Sequence, residues 1–282
     1  MESVCTVCGS SRLASVSFGT SDDDLKLLRC EQCTFVFVPT QAADRVRHGS
    51  TYHARRQANE DLVVKTMDTA SFLAYWASKL GLPSGARVLD IGCAEGRLLQ
   101  VARCMGYDAQ GIDVTDYYRD FWDSACLDAR VATAEEYSEG RSSTFDVITA
   151  RQVIEHVRDQ RSFLSACASL LKPGGFCLLE TGDPTSWQVK YQRMKWEYWI
   201  ASEGGGAHVS FLGRRAATML GERVGLRLRD SVPHFRYRTL QAYAREQGKS
   251  RGSMSTLAKF ALHRSRLTAA RCYWFEKPRG ES

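Results

Sequence analysis

No run of eighteen apolar residues occurs anywhere among the 282, so no transmembrane helix is expected. The opening residues, Met1-Glu2-Ser3-Val4-Cys5, hold no basic segment leading into an apolar one, which excludes a secretory signal there. Internal repeats and low-complexity tracts are missing too, so a repeat architecture is not in play. The composition is that of an ordinary globular chain, 44% hydrophobic and 25% charged, and a cytoplasmic location is expected.

The net charge of +6 is unevenly spread. Residues 223–282 hold fourteen Lys/Arg against four Asp/Glu, whereas the rest of the chain is slightly acidic. Such a segment can meet an anionic surface, either lipid headgroups or RNA, or remain a solvated basic stretch. A lipid surface would place the protein at the inner face of the membrane. Within it, Met254, Leu257, Phe260, Ala261 and Leu267, interleaved with Lys259, Arg264 and Arg266, fit a basic amphipathic helix.

Four of the ten cysteines form two Cys-x-x-Cys pairs, Cys5/Cys8 and Cys30/Cys33, with 21 residues between. Two residues between thiolates let a tight turn aim both sulfurs at one ion, and two such turns complete a tetrahedral S4 zinc site. The β-rich Thr34-Phe35-Val36-Phe37-Val38 follows and Pro39 ends it. The pattern is that of a zinc ribbon over residues 1–40. A redox dithiol would need a thioredoxin-like βαβ setting, which the surrounding sequence lacks. Cys93, Cys104, Cys126, Cys167, Cys177 and Cys272 stand singly and read as small core residues.

Residues 41–84 read as a polar, Arg-rich linker and then a helix, in which Leu62, Val63, Met67, Ala70, Leu73, Ala74 and Leu80 recur at helical spacing before Gly81 and Pro83. Strands are expected at 87–91, 108–113, 145–150 and 176–180, with helices at 96–105, 117–126 and 158–171. This alternation predicts an α/β fold with a parallel, doubly wound sheet. The domain is expected to run from 85 to 230, followed by a basic extension over 231–282.

The sharpest segment is Val88-Leu89-Asp90-Ile91-Gly92-Cys93-Ala94-Glu95-Gly96-Arg97. An apolar strand enters a turn of small residues and a helix opens at once, so backbone can approach a ligand closely. Asp113 ends the next strand, where a carboxylate can accept ribose hydroxyls. A nicotinamide-binding dehydrogenase shares this plan. Its helix N-terminus must meet a pyrophosphate, however, and Glu95 inside the turn opposes one.

The turn resembles the first motif of class I S-adenosylmethionine (SAM)-dependent methyltransferases, Asp-x-Gly-x-Gly-x-Gly, with Ala94 at the middle glycine. The resemblance covers about residues 85–180. It continues through Phe145–Ala150, then Val153-Ile154-Glu155-His156-Val157, then Leu170-Leu171-Lys172-Pro173-Gly174-Gly175-Phe176. It implies a Rossmann-like seven-stranded sheet with SAM as cofactor. Asp90, Gly92, Cys93, Ala94 and Gly96 would cradle its methionine part. Asp113 would hold the ribose, with Val114 against adenine and Thr133 and Ala134 at the adenine edge. Ala150 and Arg151 would face the amino-acid end. The cysteine pattern resembles the zinc-ribbon part of sugar C-methyltransferases acting on nucleotide-linked sugars. Ribosomal RNA guanine methyltransferases also join a zinc ribbon to a SAM domain.

Methyl transfer to an alcohol needs a positioned nucleophile and a base. His156 and His208 are the candidates for the base. His156 has a structural or substrate-lining role as its alternative, and His208 a helix-capping role near Leu212. Three glycines before His208 and five aromatics (Trp187, Tyr191, Trp196, Tyr198, Trp199) suggest an acceptor lid over 183–212. An aromatic helix face packed on the sheet fits those rings as well. The expected function is methyl transfer, at oxygen, to a small-molecule or glycan/lipid-linked acceptor; the alternative is rRNA or tRNA methylation.

Overall fold

A computed structural model describes residues 4–16, 27–39, 62–192, 208–233 and 270–280. Their order is β1 (Leu13–Val16), β2 (Leu27–Cys30), β3 (Val36–Phe37), α1 (Leu62–Leu80), β4 (Arg87–Ile91), α2 (Arg97–Cys104), β5 (Asp108–Asp113), α3 (Arg119–Ser124) and β6 (Asp128–Val131). There follow α4 (Ala134–Ser138), β7 (Phe145–Arg151), a 3-10 turn (Ile154–His156), α5 (Gln160–Leu170), β8 (Leu171–Gly182), α6 (Trp187–Gln192), β9 (Ser210–Phe211), α7 (Arg214–Arg223), β10 (Arg227–Pro233) and β11 (Ala270–Glu276).

Seven strands form the main sheet in the order β10-β11-β8-β7-β4-β5-β6. The run from β8 to β6 is parallel, and β11 lies antiparallel between β8 and β10. Strand alternation sends side chains to two cores. Leu89, Ile91, Ile148, Leu179 and Tyr273 join one cluster, which α5 and α7 cover with Phe163, Leu164, Ala216 and Leu220. Val88, Val147, Leu178 and Cys272 join the other, covered by Phe72 and Trp76 of α1 and Leu99 of α2. Each large side chain hidden this way contributes about 1.5–3 kcal/mol.

The doubly wound sheet is as expected, with two corrections at its far side. The boundary at residue 230 falls inside β10, and part of the stretch expected as an extension supplies β11, whose register runs from Ala270 opposite Gly182 to Glu276 opposite Phe176. Composition hid this, because Cys272, Tyr273 and Phe275 are buried strand residues set among basic ones. The strand expected at 176–180 begins earlier, at Leu171, where the pairing of β8 with β7 shifts register between Phe145 and Val147. The basic helix expected around 254–270 lies almost wholly outside the described residues.

A second sheet, β1-β2-β3-β9, is antiparallel throughout. Three of its strands come from the cysteine-bearing segment and the fourth from beyond residue 208. No helix among the described residues is long and apolar enough to cross a membrane.

Candidate active site and cysteine cluster

The chain winds β4, β5, β6 to one side of the sheet and β7, β8 to the other, so a crevice opens beyond the carboxyl ends of β4 and β7. A cavity of about 800 Å³ lies there, walled by Ile91, Gly92, Ala94, Asp113, Val114 and Arg151 among others. Gly92 has φ +74, and a Cβ on it would stand 2.5 Å from the Val153 methyl, so glycine is required here. Ala94 takes φ 47 in spite of its side chain. Its backbone is held on both sides: its N–H donates to Asp113 Oδ2 at 2.9 Å, and its carbonyl accepts from the Trp122 indole at 2.7 Å. Asp113 Oδ1 accepts the Thr115 N–H at 3.2 Å. The carboxylate is thereby fixed at the cavity wall while keeping lone pairs for a ligand.

The expected cofactor residues divide into two groups. Gly92, Ala94, Asp113, Val114, Thr133, Ala134 and Arg151 line the cavity. Asp90, Cys93, Gly96 and Ala150 are not on its wall. Asp90 and Ala150 are buried in the sheet, and Cys93 and Leu127 fill the space behind the turn at Gly111 and Gly96. Burial pushes the Asp90 carboxyl up to about 7, against the Thr149 hydroxyl that donates to it at 2.6 Å. Thr133 caps α4 through a reciprocal box with Glu136. Arg151 pairs with buried Glu180 and lies 4.6 Å from the Phe72 ring centre. Glu95 is paired with Arg97, so its charge is compensated and discriminates less against a pyrophosphate than the sequence suggests.

His156 also lines the cavity. The His208 ring lies 4.9 Å from it. A carboxylate oxygen of buried Glu155, held by the Thr181 hydroxyl at 2.9 Å, lies within 4.8 Å of both imidazoles. The 3-10 turn after β7 and the segment entering β9 bring these three together, from positions more than fifty residues apart. Helix α7 starts at Arg214 with Gly213 as N-cap, so His208 does not cap it. Sequence reasoning missed Glu155 as a partner, and Tyr117, Tyr118 and Gln152 on the cavity wall. Gln152, at φ 57 directly after β7, gives no local signal of its strain. Of the expected lid, residues 193–207 lie outside the described residues, Trp196, Tyr198 and Trp199 among them. Trp187 is 66% exposed on α6.

The four ribbon sulfurs lie within 4.8 Å of one another, with Cys5–Cys33 at 3.5 Å and Cys8–Cys30 at 3.4 Å. Sulfurs around a tetrahedral zinc with bonds of about 2.3 Å would stand slightly farther apart than that. None of the four is in a disulfide. A hydrogen bond from Cys33 holds the Cys5 thiol down at about 5, and the same bond pushes Cys33 up. Four buried, unbridged sulfurs converging from two Cys-x-x-Cys turns fit a cation.

A Rossmann-like sheet with a glycine turn and a ribose-type carboxylate at the crevice is the architecture of class I methyltransferases. Residues 56–231 match the Methyltransferase domain family, and the chain belongs to it. Among curated proteins it is similar to the ubiquinone biosynthesis O-methyltransferase of Xanthomonas campestris, 36% identical over 115 residues, covering 39% of this chain and 48% of that protein. The namesake enzyme of Thiobacillus denitrificans is 31% identical over 112 residues, covering 38% and 48%. The chain thus spans about half the length of the curated relatives it matches. Among solved structures, a complex of the Haloferax volcanii Trm112 methyltransferase activator with a methyltransferase gives a TM-score of 0.59 at 15% identity, covering 83% of this chain and 99% of that one. A SAM-dependent methyltransferase from Clostridium acetobutylicum gives 0.52 at 12%, covering 80% and 96%. At these identities the structural likeness shows the fold alone.

Proposed function

We propose that this chain is a SAM-dependent methyltransferase acting at a hydroxyl of a small-molecule or glycan/lipid-linked acceptor. The observation that carries this is one cavity with the Gly92 turn and Asp113 on one wall and His156 on another. When bound, SAM supplies an electrophilic methyl group on a sulfonium. Asp113 and the Gly92–Ala94 backbone hold the donor, Val114, Thr133 and Ala134 border its base, and Arg151 lies towards its amino-acid end. His156 and His208, with Glu155 beside them, are the groups that would take the proton from an acceptor hydroxyl. A base so placed contributes about 10²–10⁴-fold. The O-methyltransferase name of the curated relatives supports oxygen as the atom methylated. Cys5, Cys8, Cys30 and Cys33 hold a structural zinc.

Calorimetry with S-adenosylhomocysteine tests the cofactor placement: Asp113→Ala weakens binding at least about tenfold, since roughly 1.4 kcal/mol of hydrogen bonding to the ribose is lost. Unchanged affinity removes Asp113 from the site. His208→Ala lowers kcat by about 10²-fold or more with cofactor affinity intact; full turnover clears it of a chemical role. The RNA reading is tested by a salt titration: RNA-dependent turnover with affinity falling steeply in salt would replace the small-molecule acceptor.

A further inference from the structure

We infer that the cysteine ribbon is the positioning device for His208, so that the cation held by the four cysteines governs methyl transfer without touching the cofactor. This rests on the role proposed above for His208.

The ribbon sheet does not close on itself. Its β3 pairs with β9, Val36 opposite Phe211 and Phe37 opposite Ser210. Just beyond, the Val38 N–H donates to the Val209 carbonyl at 2.9 Å. On its other side the Val209 N–H donates to the Glu155 carbonyl at 2.8 Å, and the Ser210 hydroxyl to the Ile154 carbonyl at 3.2 Å. The residue after His208 is therefore clamped between the ribbon and the turn that carries Glu155 and His156. The ribbon in turn is seated on the methyltransferase helices. The Thr6 hydroxyl donates to the Gln160 side chain at 2.6 Å, and the Arg223 guanidinium to the Cys8 carbonyl. Phe35 and Phe37, stacked 5.4 Å apart, enter the same core as Leu212 and Ala216.

A two-residue strand has little stability of its own. The register of β3 is set instead by the knuckle before it, where the Cys30 N–H donates to the Phe35 carbonyl at 2.8 Å and the Thr34 N–H to the Cys30 carbonyl at 2.9 Å. Only Thr34 separates Cys33 from Phe35, so loss of the cation frees the knuckle, then β3, then the clamp on Val209. A displacement of 1 Å at the reacting groups costs about 10²-fold in rate. Asp113 and the Gly92 turn lie at the tips of β4 and β5 and share none of these bonds.

Two variants of the full chain test this. Cys30→Ser removes a ligand. Val38→Pro removes the N–H that reaches Val209, together with a buried side chain, and leaves all four cysteines in place. Metal content, hydrogen exchange of the Val209 amide, cofactor affinity, kcat and KM are measured for each. Cys30→Ser should lose the metal, lose Val209 protection and drop kcat by about 10²-fold, with cofactor affinity within about twofold. Val38→Pro should keep its metal, lose part of the protection and drop kcat by roughly tenfold, one hydrogen bond's worth. Metal-free Cys30→Ser with a protected Val209 amide and undiminished kcat overturns the inference. Should Cys30→Ser fail to fold, a metal-replete Val38→Pro with unchanged exchange and kcat overturns it equally. The exchange readout is independent of His208 chemistry. Lost protection with unchanged kcat in both variants, where His208→Ala is also fully active, therefore refutes the proposed base and leaves the mechanical coupling standing.

Discussion

The main sheet hides apolar side chains on both faces, under α5 and α7 on one side and α1 and α2 on the other. The ribbon strands, of four, four and two residues, bury few side chains of their own, and Phe35 and Phe37 share their core with residues of α5 and α7. The first region is therefore held by burial, and the second by what it leans on together with, on the reading proposed above, a cation bound by its four sulfurs. Burial tolerates the loss of a single contact. A metal bound by four sulfurs would hold the whole unit or none of it.

The largest effect expected from this contrast is on metal removal. Zinc bound by such a site contributes on the order of 10 kcal/mol to the local fold. Chelation should thus open residues 4–39 to proteolysis while fragments from 62–192 stay intact, and uniform cleavage of both would dissolve the distinction. A smaller effect belongs to the sheet. The Asp90 carboxyl, raised from 3.8 to about 7, keeps in the folded state a proton that the unfolded chain releases between those values. Its unfavourable burial is absent below about pH 4 and grows as pH rises towards 7, reaching at most about 4 kcal/mol. Asp90→Asn should accordingly gain Tm over the native chain above pH 7 and lose the advantage below pH 4; parallel Tm curves would refute it. Least of all, Thr133→Ala removes the α4 cap and should cost about 1 kcal/mol in urea unfolding, with no change in metal content.

The parts of the site that were legible in the sequence are those carried by one short segment. Gly92, Ala94 and Asp113 stand at strand ends, where alternation and turn chemistry locate them, and they do line the cavity. The cysteine pairs were legible for the same reason: spacing alone brings two sulfurs to one side of a turn. Legibility ended where contacts are made at a distance. That His156 and His208 meet depends on β9 leaving the main chain path to pair with the ribbon, and two residues of strand carry no periodicity. The place of β11 was hidden likewise, since its partners are some ninety residues upstream. Gln152 and Glu155 were overlooked because left-handed backbone and buried charge follow from neighbours, not from residue type.

The insertion of β11 between β8 and β10 bears on how the chain is made. While a ribosome synthesises it from the N-terminus, every strand from β4 to β8 can align in turn. The free edge of β8, twelve residues long, then waits until Ala270–Glu276 has emerged. Throughout that interval it presents unpaired amides and carbonyls to any neighbouring strand. Nascent chains of this protein should therefore engage chaperones late, after residue 182 and before residue 276.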